Sequence, residues 1–282
     1  MQANAETITL KSGLTMPRLG FGTWRLAESR SAWADEIAVL RHALDLGFRH
    51  IDTAEMYGDG DTEKLIGEAL RGYERESLFI TSKFYPHHAE PVDMHRACER
   101  SLRALGTDYL DLYLLHWPGA VPIERTLHGA AELLQSGKIK AFGISNFNTA
   151  EFASIMGEEL SGMIDVNQVM YNPARRGIEF DLLPLMGMHN VACIAYTPIE
   201  PRLMRANKAF TEIAAEAGLS PAALALSWHM ALGHALPIPK ASTKAHVEAL
   251  AAASTHGLSE AQRARIDAAF PPPRAPVPLD II

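Results

Sequence analysis

Four side chains with different acid–base chemistry stand at the ends of three successive apolar segments. Asp52 ends the segment HIDT, Lys83 stands near the end of LFITSKF, and His116 follows the apolar run in YLDLYLLHW. Tyr57 comes five positions after Asp52, in the loop that follows HIDT. A lysine cation stabilises a phenolate, an aspartate holds that lysine charged, and a histidine can donate a hydrogen bond to a carbonyl oxygen. Together they could protonate a developing oxyanion, a general-acid step worth roughly 10²- to 10⁴-fold.

The sequence carries none of the common motifs for nucleotide, metal or covalent chemistry. A Rossmann phosphate loop needs a third glycine after Gly20 and Gly22, and Arg25 stands at that position. No Walker A or HExxH sequence occurs, no serine or cysteine stands in a nucleophile elbow, and the histidines have no metal-ligand spacing. We therefore predict no metal. Because the four residues offer neither a nucleophile nor a hydride, a cofactor must bring the hydride for a reduction at this site.

Strand and helix patterns alternate along the chain after a predicted hairpin, TITL-KSG-LTMP, with its turn at Ser12 and Gly13. The eight strand segments are RLGFGTW, HIDT, LFITSKF, DYLDLYLLHW, KIKAFGIS, MIDVNQV, VACIAYT and ALPIPK. A helical pattern follows each strand, and eight βα units favour a closed barrel over an open sheet. We predict one α/β domain over residues 1–282, a (β/α)₈ TIM barrel with an N-terminal β-hairpin and extra helices. The active site of such a barrel is built at the C-terminal strand ends.

The composition argues against several classes of protein. The 282 residues are 48% hydrophobic and 21% charged, and a net charge of −7 argues against nucleic-acid or anionic membrane partners. Two cysteines, Cys98 and Cys193, are too few for a disulfide scaffold or a structural zinc site. No signal peptide or membrane-spanning run is evident. We expect a cytoplasmic protein, and a monomer, since a closed barrel leaves no edge strand to pair.

The chain resembles the aldo-keto reductases over essentially its full length. The matching stretches, in family order, are GFRHIDTAEMYG, SKFYP, YLDLYLLHWP, GKIKAFGISNF, DVNQVMYNP, CIAYTPI and LPIPK. This resemblance implies Tyr57 as the proton donor, Lys83 and Asp52 as the partners that lower its pKa, and His116 as the group that orients the carbonyl. It also implies a nicotinamide cofactor bound in an extended pose without a Rossmann fold.

The resemblance also assigns residues to the cofactor and the substrate. Ser145, Asn146 and Gln168 would hold the carboxamide, and Tyr196 would stack on the nicotinamide ring; amide-matching groups and an aromatic face suit these tasks. The residues expected to contact the cofactor are Ser145, Asn146, Gln168, Tyr196, Thr197, Ile199, Lys240 and His246. The residues expected to line the substrate pocket are Trp24, Met56, Tyr85 and Trp117.

The sequence departs from the family pattern where the adenosine end should bind. Lys240 remains to meet a 2′-phosphate, but Ala241 follows it, and His246 replaces the usual arginine. An imidazole is only partly charged near neutrality and lacks the bidentate fork of a guanidinium. Ala249 and Leu250 replace the usual Glu and Asn near the adenine. We expect NADPH to be preferred over NADH by a reduced, pH-dependent margin.

The substrate and the biological role leave alternatives open. The K-A-x-x-x-x-H-V pattern, RGIEFDLLP and the LDI ending resemble a bacterial branch of methylglyoxal reductases, which implies small aldehydes or ketoaldehydes as substrates. The Pro-rich end, PPPRAPVPLDII, is predicted to lie over the surface and to leave little to close over large substrates. The alternatives are a cofactor-binding regulatory or sensor subunit with little turnover and a phosphate-binding barrel isomerase or aldolase. The last would need another base or a free Schiff-base lysine.

Overall fold

A computed structural model describes residues 2–282, and its first element is the predicted hairpin. Strands β1 (Thr7–Thr9) and β2 (Thr15–Pro17) pair antiparallel, with Ile8 opposite Met16. The turn between them contains Gly13 at φ +88°, a conformation that glycine adopts without a Cβ penalty. Buried Leu10 and Met16 pack with apolar residues of the barrel strands, so the hairpin belongs to the same core as the barrel interior.

Eight parallel strands form the barrel, as predicted. They are β3 (Gly20–Gly22), β4 (His50–Asp52), β5 (Phe79–Phe84), β6 (Leu110–Leu115), β7 (Ile139–Ser145), β8 (Ile164–Met170), β9 (Ala192–Tyr196) and β10 (Leu236–Pro237). Each pairs with its neighbours in chain order from β3 to β10. The amide of Gly22 donates to the carbonyl of Pro239 at 2.9 Å, which brings the last strand against the first. β10 is short because Pro237 and Pro239 have no N–H to donate to the ladder.

Eleven α-helices surround the strands within residues 2–282. They are α1 (Trp33–Asp45), α2 (Asp61–Ala69), α3 (Pro91–Leu105), α4 (Ile123–Gln135), α5 (Thr149–Ile155), α6 (Leu182–Met188), α7 (Pro201–Ala206), α8 (Lys208–Glu216), α9 (Pro221–Leu232), α10 (Lys244–Ser254) and α11 (Glu260–Ala269). The segment MRANKAFTEIAAEAG has one continuous helical pattern, but the structure divides it between α7 and α8. Asn207 causes the break, since its side chain caps α8 by accepting from the amide of Phe210. Among these described helices, none is long and apolar enough to cross a membrane.

The closure of the barrel depends on a close approach at Gly22. A Cβ at this position would lie 2.7 Å from the backbone carbonyl oxygen of Ile238. We expect Gly22→Ala to lower the free energy of unfolding by about 1–3 kcal/mol, because β3 and β10 must move apart. Urea unfolding measures this. Gly187→Ala in α6 is the matched control, since a Cβ there meets nothing within 4 Å and should be neutral or stabilising. Equal stability of the two variants would contradict this account of closure.

Candidate active site

The four acid–base residues are brought together at the C-terminal end of neighbouring strands. Asp52 is the last residue of β4, Lys83 is the penultimate residue of β5, and His116 directly follows β6. Tyr57 begins a short turn, Tyr57–Gly60, in the loop after β4. The strands β4, β5 and β6 are adjacent and parallel, so their carboxyl ends open on the same side of the barrel. The structure therefore brings the four positions together in one spatial cluster.

A buried ion pair forms the base of this cluster. Nζ of Lys83 donates to Oδ1 of Asp52 at 2.6 Å, to the carbonyl of Thr53 at 2.8 Å and to the hydroxyl of Tyr57 at 3.4 Å. Oδ2 of Asp52 accepts from Nε2 of Gln168 at 2.7 Å. The Lys83 and Asp52 side chains are 0% and 2% exposed. Charges this deep persist only where partners satisfy them, as they do here.

The protonation of the pair and of the phenol follows from burial and charge. Burial opposes the charged form of Lys83, but the interactions with Asp52 and Tyr57 together outweigh burial and raise the lysine pKa, so the ammonium persists at neutral pH. Burial raises the pKa of Tyr57 above its ordinary value, and the nearby Lys83 only partly offsets this. Lys83 therefore lowers the pKa of Tyr57, as expected, but burial raises this pKa by more. The phenol stays protonated, which suits a proton donor.

His116 is a neutral hydrogen-bonding group in this setting. Burial lowers its pKa to about 2, and the charge of Lys83 acts in the same direction. Its ring lies edge-on to Tyr57, with 5.9 Å between the ring centroids. Nδ1 of His116 is buried and has no hydrogen-bond partner within residues 2–282, and the imidazole lines a large cavity. A neutral imidazole can donate one hydrogen bond to an oxygen in that cavity without adding charge.

The cavity extends across the barrel mouth and has a volume of about 1700 Å³. It is lined by fourteen of the sixteen residues predicted for the site: Trp24, Asp52, Met56, Tyr57, His116, Trp117, Ser145, Asn146, Gln168, Tyr196, Thr197, Ile199, Lys240 and His246. Lys83 lies beneath it, fully buried. Tyr85 also does not line the cavity, because the chain turns outward after β5. Its ring packs instead on His87 and against Trp117, at centroid distances of 4.8 and 5.8 Å.

Polar groups at the ends of β7, β8 and β9 form a connected network. Ser145 Oγ donates to the carbonyl of Gln168 at 2.8 Å, and Asn146 Nδ2 donates to the carbonyl of His116 at 3.0 Å. The hydroxyl of half-buried Tyr196 donates to Oδ1 of Asn146 at 2.8 Å. Asn146 and Thr197 adopt φ values of +63° and +47°. Asparagine tolerates this left-handed region, but the β-branched Thr197 is strained there, and such strain is concentrated at functional sites.

The residues around the cavity fit a nicotinamide dinucleotide chemically. One end offers amide and hydroxyl groups beside an aromatic ring, which match a planar ring bearing a carboxamide. Basic side chains line other parts of the wall: Arg25, Arg205, Lys240 and His246. These match the anionic phosphates of the same ligand. Arg25 and Arg205 were not among the predicted ligands, and no motif in the sequence marks either of them.

The C-terminal segment also contributes to the cavity, contrary to its predicted place over the surface. The residues of this segment that line the cavity are Val277, Pro278, Leu279, Ile281 and Ile282. Arg175 holds the segment through Asp280 at 3.0 Å and also bonds Glu200 with two nitrogens. Val277 packs closely on Gly177: a Cβ added to Gly177 would lie 2.5 Å from a methyl group of Val277. The segment therefore forms part of the wall of the cavity.

Comparisons with known proteins agree with the geometry. The model of the Aldo/keto reductase family matches residues 18–270. Methylglyoxal reductase YeaE of Escherichia coli (strain K12) is 40% identical over 282 residues, covering 98% of this chain and 99% of the relative. The crystal structure of an aldo/keto reductase from Klebsiella pneumoniae in complex with NADP and acetate superimposes with a TM-score of 0.93 at 37% identity, covering 99% and 100% of the two chains. The crystal structure of the thermostable aldo-keto reductase Tm1743, in complex with the inhibitor epalrestat, superimposes with a TM-score of 0.86 at 35% identity. The match covers 94% of this chain and 99% of that chain.

Proposed function

The chain belongs to the aldo/keto reductase family, and from that premise we propose that it reduces small aldehydes and ketoaldehydes to alcohols with NADPH. The observation that carries this proposal is the buried Lys83–Asp52 pair in contact with Tyr57, whose ring packs edge-on against His116 at the wall of a large cavity. The related Klebsiella pneumoniae structures hold NADP or NADPH, which supports the same cofactor here. Methylglyoxal is the first candidate substrate because the E. coli relative, 40% identical to this chain, is a methylglyoxal reductase.

The side chains divide the chemistry between them. The cofactor, when bound, supplies the hydride that the protein lacks. Neutral His116 donates a hydrogen bond that holds the carbonyl oxygen, and Tyr57 transfers its proton to that oxygen as negative charge develops. Lys83 then stabilises the phenolate that remains, and Asp52 keeps the ammonium in place. Ser145, Asn146 and Gln168 would bind the carboxamide, and Tyr196 would stack on the nicotinamide ring.

The expected substrates follow from the apolar lining of the cavity that Tyr57 faces. Trp24, Met56 and Trp117 present aromatic and apolar surface to this cavity, and the C-terminal segment adds further apolar side chains, among them Leu279 and Ile281. Such a pocket accepts small carbonyl compounds but discriminates weakly between them, by about 1–3 kcal/mol per methylene. We propose small aldehydes and ketoaldehydes as a class, with methylglyoxal as its representative.

NADPH oxidation with a panel of carbonyl compounds tests the function. Turnover of methylglyoxal and other small aldehydes, with much lower kcat/KM for a bulky cyclic ketone, is the expected result. The panel is accompanied by measurement of the NADPH dissociation constant through its fluorescence. Tight NADPH binding without turnover of any carbonyl compound would instead favour the regulatory or sensor subunit. Absence of NADPH binding would contradict both functions.

The cofactor preference should depend on the side chain at position 246. Lys240 and His246 both line the cavity and are solvent-exposed. A guanidinium is permanently charged and can bind a phosphate with two nitrogens, whereas an imidazole lacks this bidentate fork. We expect His246→Arg to raise the ratio of kcat/KM for NADPH over NADH several-fold at one fixed pH. An unchanged ratio would mean that position 246 does not meet the 2′-phosphate.

A further inference from the structure

The loop that carries Tyr57 continues the hydrogen-bond ladder between β4 and β5 beyond the strands. The amide of Thr53 donates to the carbonyl of Thr81 at 2.9 Å, and the amide of Glu55 donates to the carbonyl of Lys83 at 3.0 Å. These bonds repeat every second residue, as in a parallel sheet. The chain then bends away, with the amide of Tyr57 donating to the carbonyl of Ala54 at 3.1 Å. The last main-chain bond before the bend is therefore made at Glu55.

The side chain of Glu55 extends this ladder by one more bond. Its Oε1 accepts from the amide of Tyr85 at 2.7 Å, two residues beyond Lys83. Nδ1 of His88 lies 2.8 Å from the same oxygen, and Arg100 donates to Oε2 at 3.1 Å. The carboxylate is only 8% exposed, so these bonds form in a partly desolvated place where they are stronger than at the surface. The carboxylate of Glu55 thus accepts from the amide of Tyr85 in place of a main-chain carbonyl, because the chain bends away after Glu55.

The contact most sensitive to this arrangement is the one between Tyr57 and Lys83. It measures 3.4 Å, whereas the other two bonds of Lys83 measure 2.6 and 2.8 Å. A hydrogen bond this long is near the limit of useful geometry, so a small outward movement of Tyr57 would break it. Lys83 itself is fixed by Asp52 and Thr53, so such a movement would have to come from the loop. Glu55 lies two residues before Tyr57. Its amide donates to the carbonyl of Lys83, and its carboxylate accepts from the amide of Tyr85, so it joins the loop to β5 and to the residue that follows β5.

Glu55 also reaches the substrate side of the cavity indirectly. Its bond to the amide of Tyr85 fixes the point where the chain leaves β5. The ring of Tyr85 packs edge-on against Trp117, which lines the cavity. Tyr85, predicted to contact the substrate, therefore packs against Trp117, which lines the cavity. Glu55 holds the backbone of Tyr85.

We propose that Glu55 is a positioning residue that sets the Tyr57–Lys83 distance and so the rate of proton transfer. Its carboxylate does not line the cavity and is not expected to touch substrate or cofactor. The proposal rests on the proposed function, since it assumes that Tyr57 is the proton donor. It predicts a defect in kcat that is separate from cofactor binding, because the residues expected to hold the cofactor lie mainly on β7, β8, β9 and the segment after β10.

Two variants separate positioning from general stability. Glu55→Leu removes the acceptor at similar volume, and we expect kcat to fall about 10- to 100-fold with the NADPH dissociation constant changed by less than about twofold. Glu55→Gln keeps an oxygen for the Tyr85 amide and should restore kcat to within about fivefold of the unchanged protein. Glu90→Leu is the control: Glu90 pairs with Arg125 at the surface, 39% exposed, and its loss should leave kcat unchanged.

Hydrogen exchange supplies a measurement that does not depend on turnover. We expect the amides of residues 53–59 to exchange faster in Glu55→Leu than in the unchanged protein or in Glu90→Leu. Unchanged exchange in that segment, or faster exchange with unchanged kcat, would overturn the proposal. A similar loss of both kcat and NADPH affinity would mean that Glu55 supports the fold in general, and would also overturn the proposal. If the unchanged protein reduces no carbonyl compound, the proposed function fails, while exchange still decides whether Glu55 holds the loop of Tyr57.

Discussion

Tyr57→Phe should lower kcat by about 10²- to 10⁴-fold while leaving NADPH binding and folding almost unchanged. The substitution removes only the hydroxyl, whose recorded hydrogen bond within the protein is the 3.4 Å contact with Lys83. The ring remains, and with it the edge-on packing against His116. Lys83 keeps its two shorter bonds, so no buried charge loses its principal partner. The expected result is a selective loss of proton transfer.

The measurements are kcat with a small aldehyde, the NADPH dissociation constant and the midpoint of urea unfolding. A decrease in kcat of less than about tenfold would remove Tyr57 from the role of proton donor. The pH profile gives a second check on the same assignment. The donor acts when protonated, and burial raises the pKa of Tyr57. Activity should therefore fall only as pH rises above the ordinary tyrosine range, and His116, with its pKa near 2, should contribute no step near neutrality.

The strand ends were predictable because they depend on local patterns. Short apolar runs such as LFITSKF are long enough for one buried strand, and alternation with helices fixes their parallel direction. Parallel neighbours then bring their last residues to one side of a barrel without any knowledge of long-range contacts. This is why Asp52, Lys83 and His116 could be placed together from the sequence, with the bounds of their strands correct to within a few residues.

The features that escaped prediction depend on contacts between distant parts of the chain. Gln168 bonds Asp52 across 116 positions, and Arg175 bonds Asp280 across 105, and no local pattern marks either pair. The same limit applies to the pKa of Tyr57. A neighbouring cation could be inferred from the sequence, but the extent of burial that outweighs it is a product of packing.

The orientation of side chains at the ends of strands is equally hard to infer. Tyr85 follows β5 by one residue, yet its ring turns out of the cavity because the next residues form a 3₁₀ turn, Pro86–His88. Glu55 stands in the motif that identified Asp52 and Tyr57, but its carboxylate gains a role only through the amide of Tyr85. The sequence thus indicated which loops form the site and left open which side chains face it.

Lys83→Met should reduce both activity and stability, and a second substitution should separate the two effects. The single variant leaves the Asp52 carboxylate buried, with Gln168 as its remaining side-chain partner. An uncompensated buried charge costs about 3–5 kcal/mol, so the free energy of unfolding should fall by about that amount. The phenolate formed during proton transfer would also lose its cation, and we expect kcat to decrease at least about 10²-fold.

The double variant Asp52→Asn with Lys83→Met removes the unpaired charge and tests which loss matters for catalysis. An asparagine at position 52 can still accept from Gln168, and the methionine fills much of the volume of the lysine, so most of the lost stability should return. Activity should not return with it, because no cation remains beside the phenol. Urea unfolding and kcat measured on the three variants, including Asp52→Asn alone, decide the matter. Recovery of activity together with stability would mean that Lys83 serves the fold of the barrel mouth, and that proton transfer from Tyr57 needs no neighbouring charge.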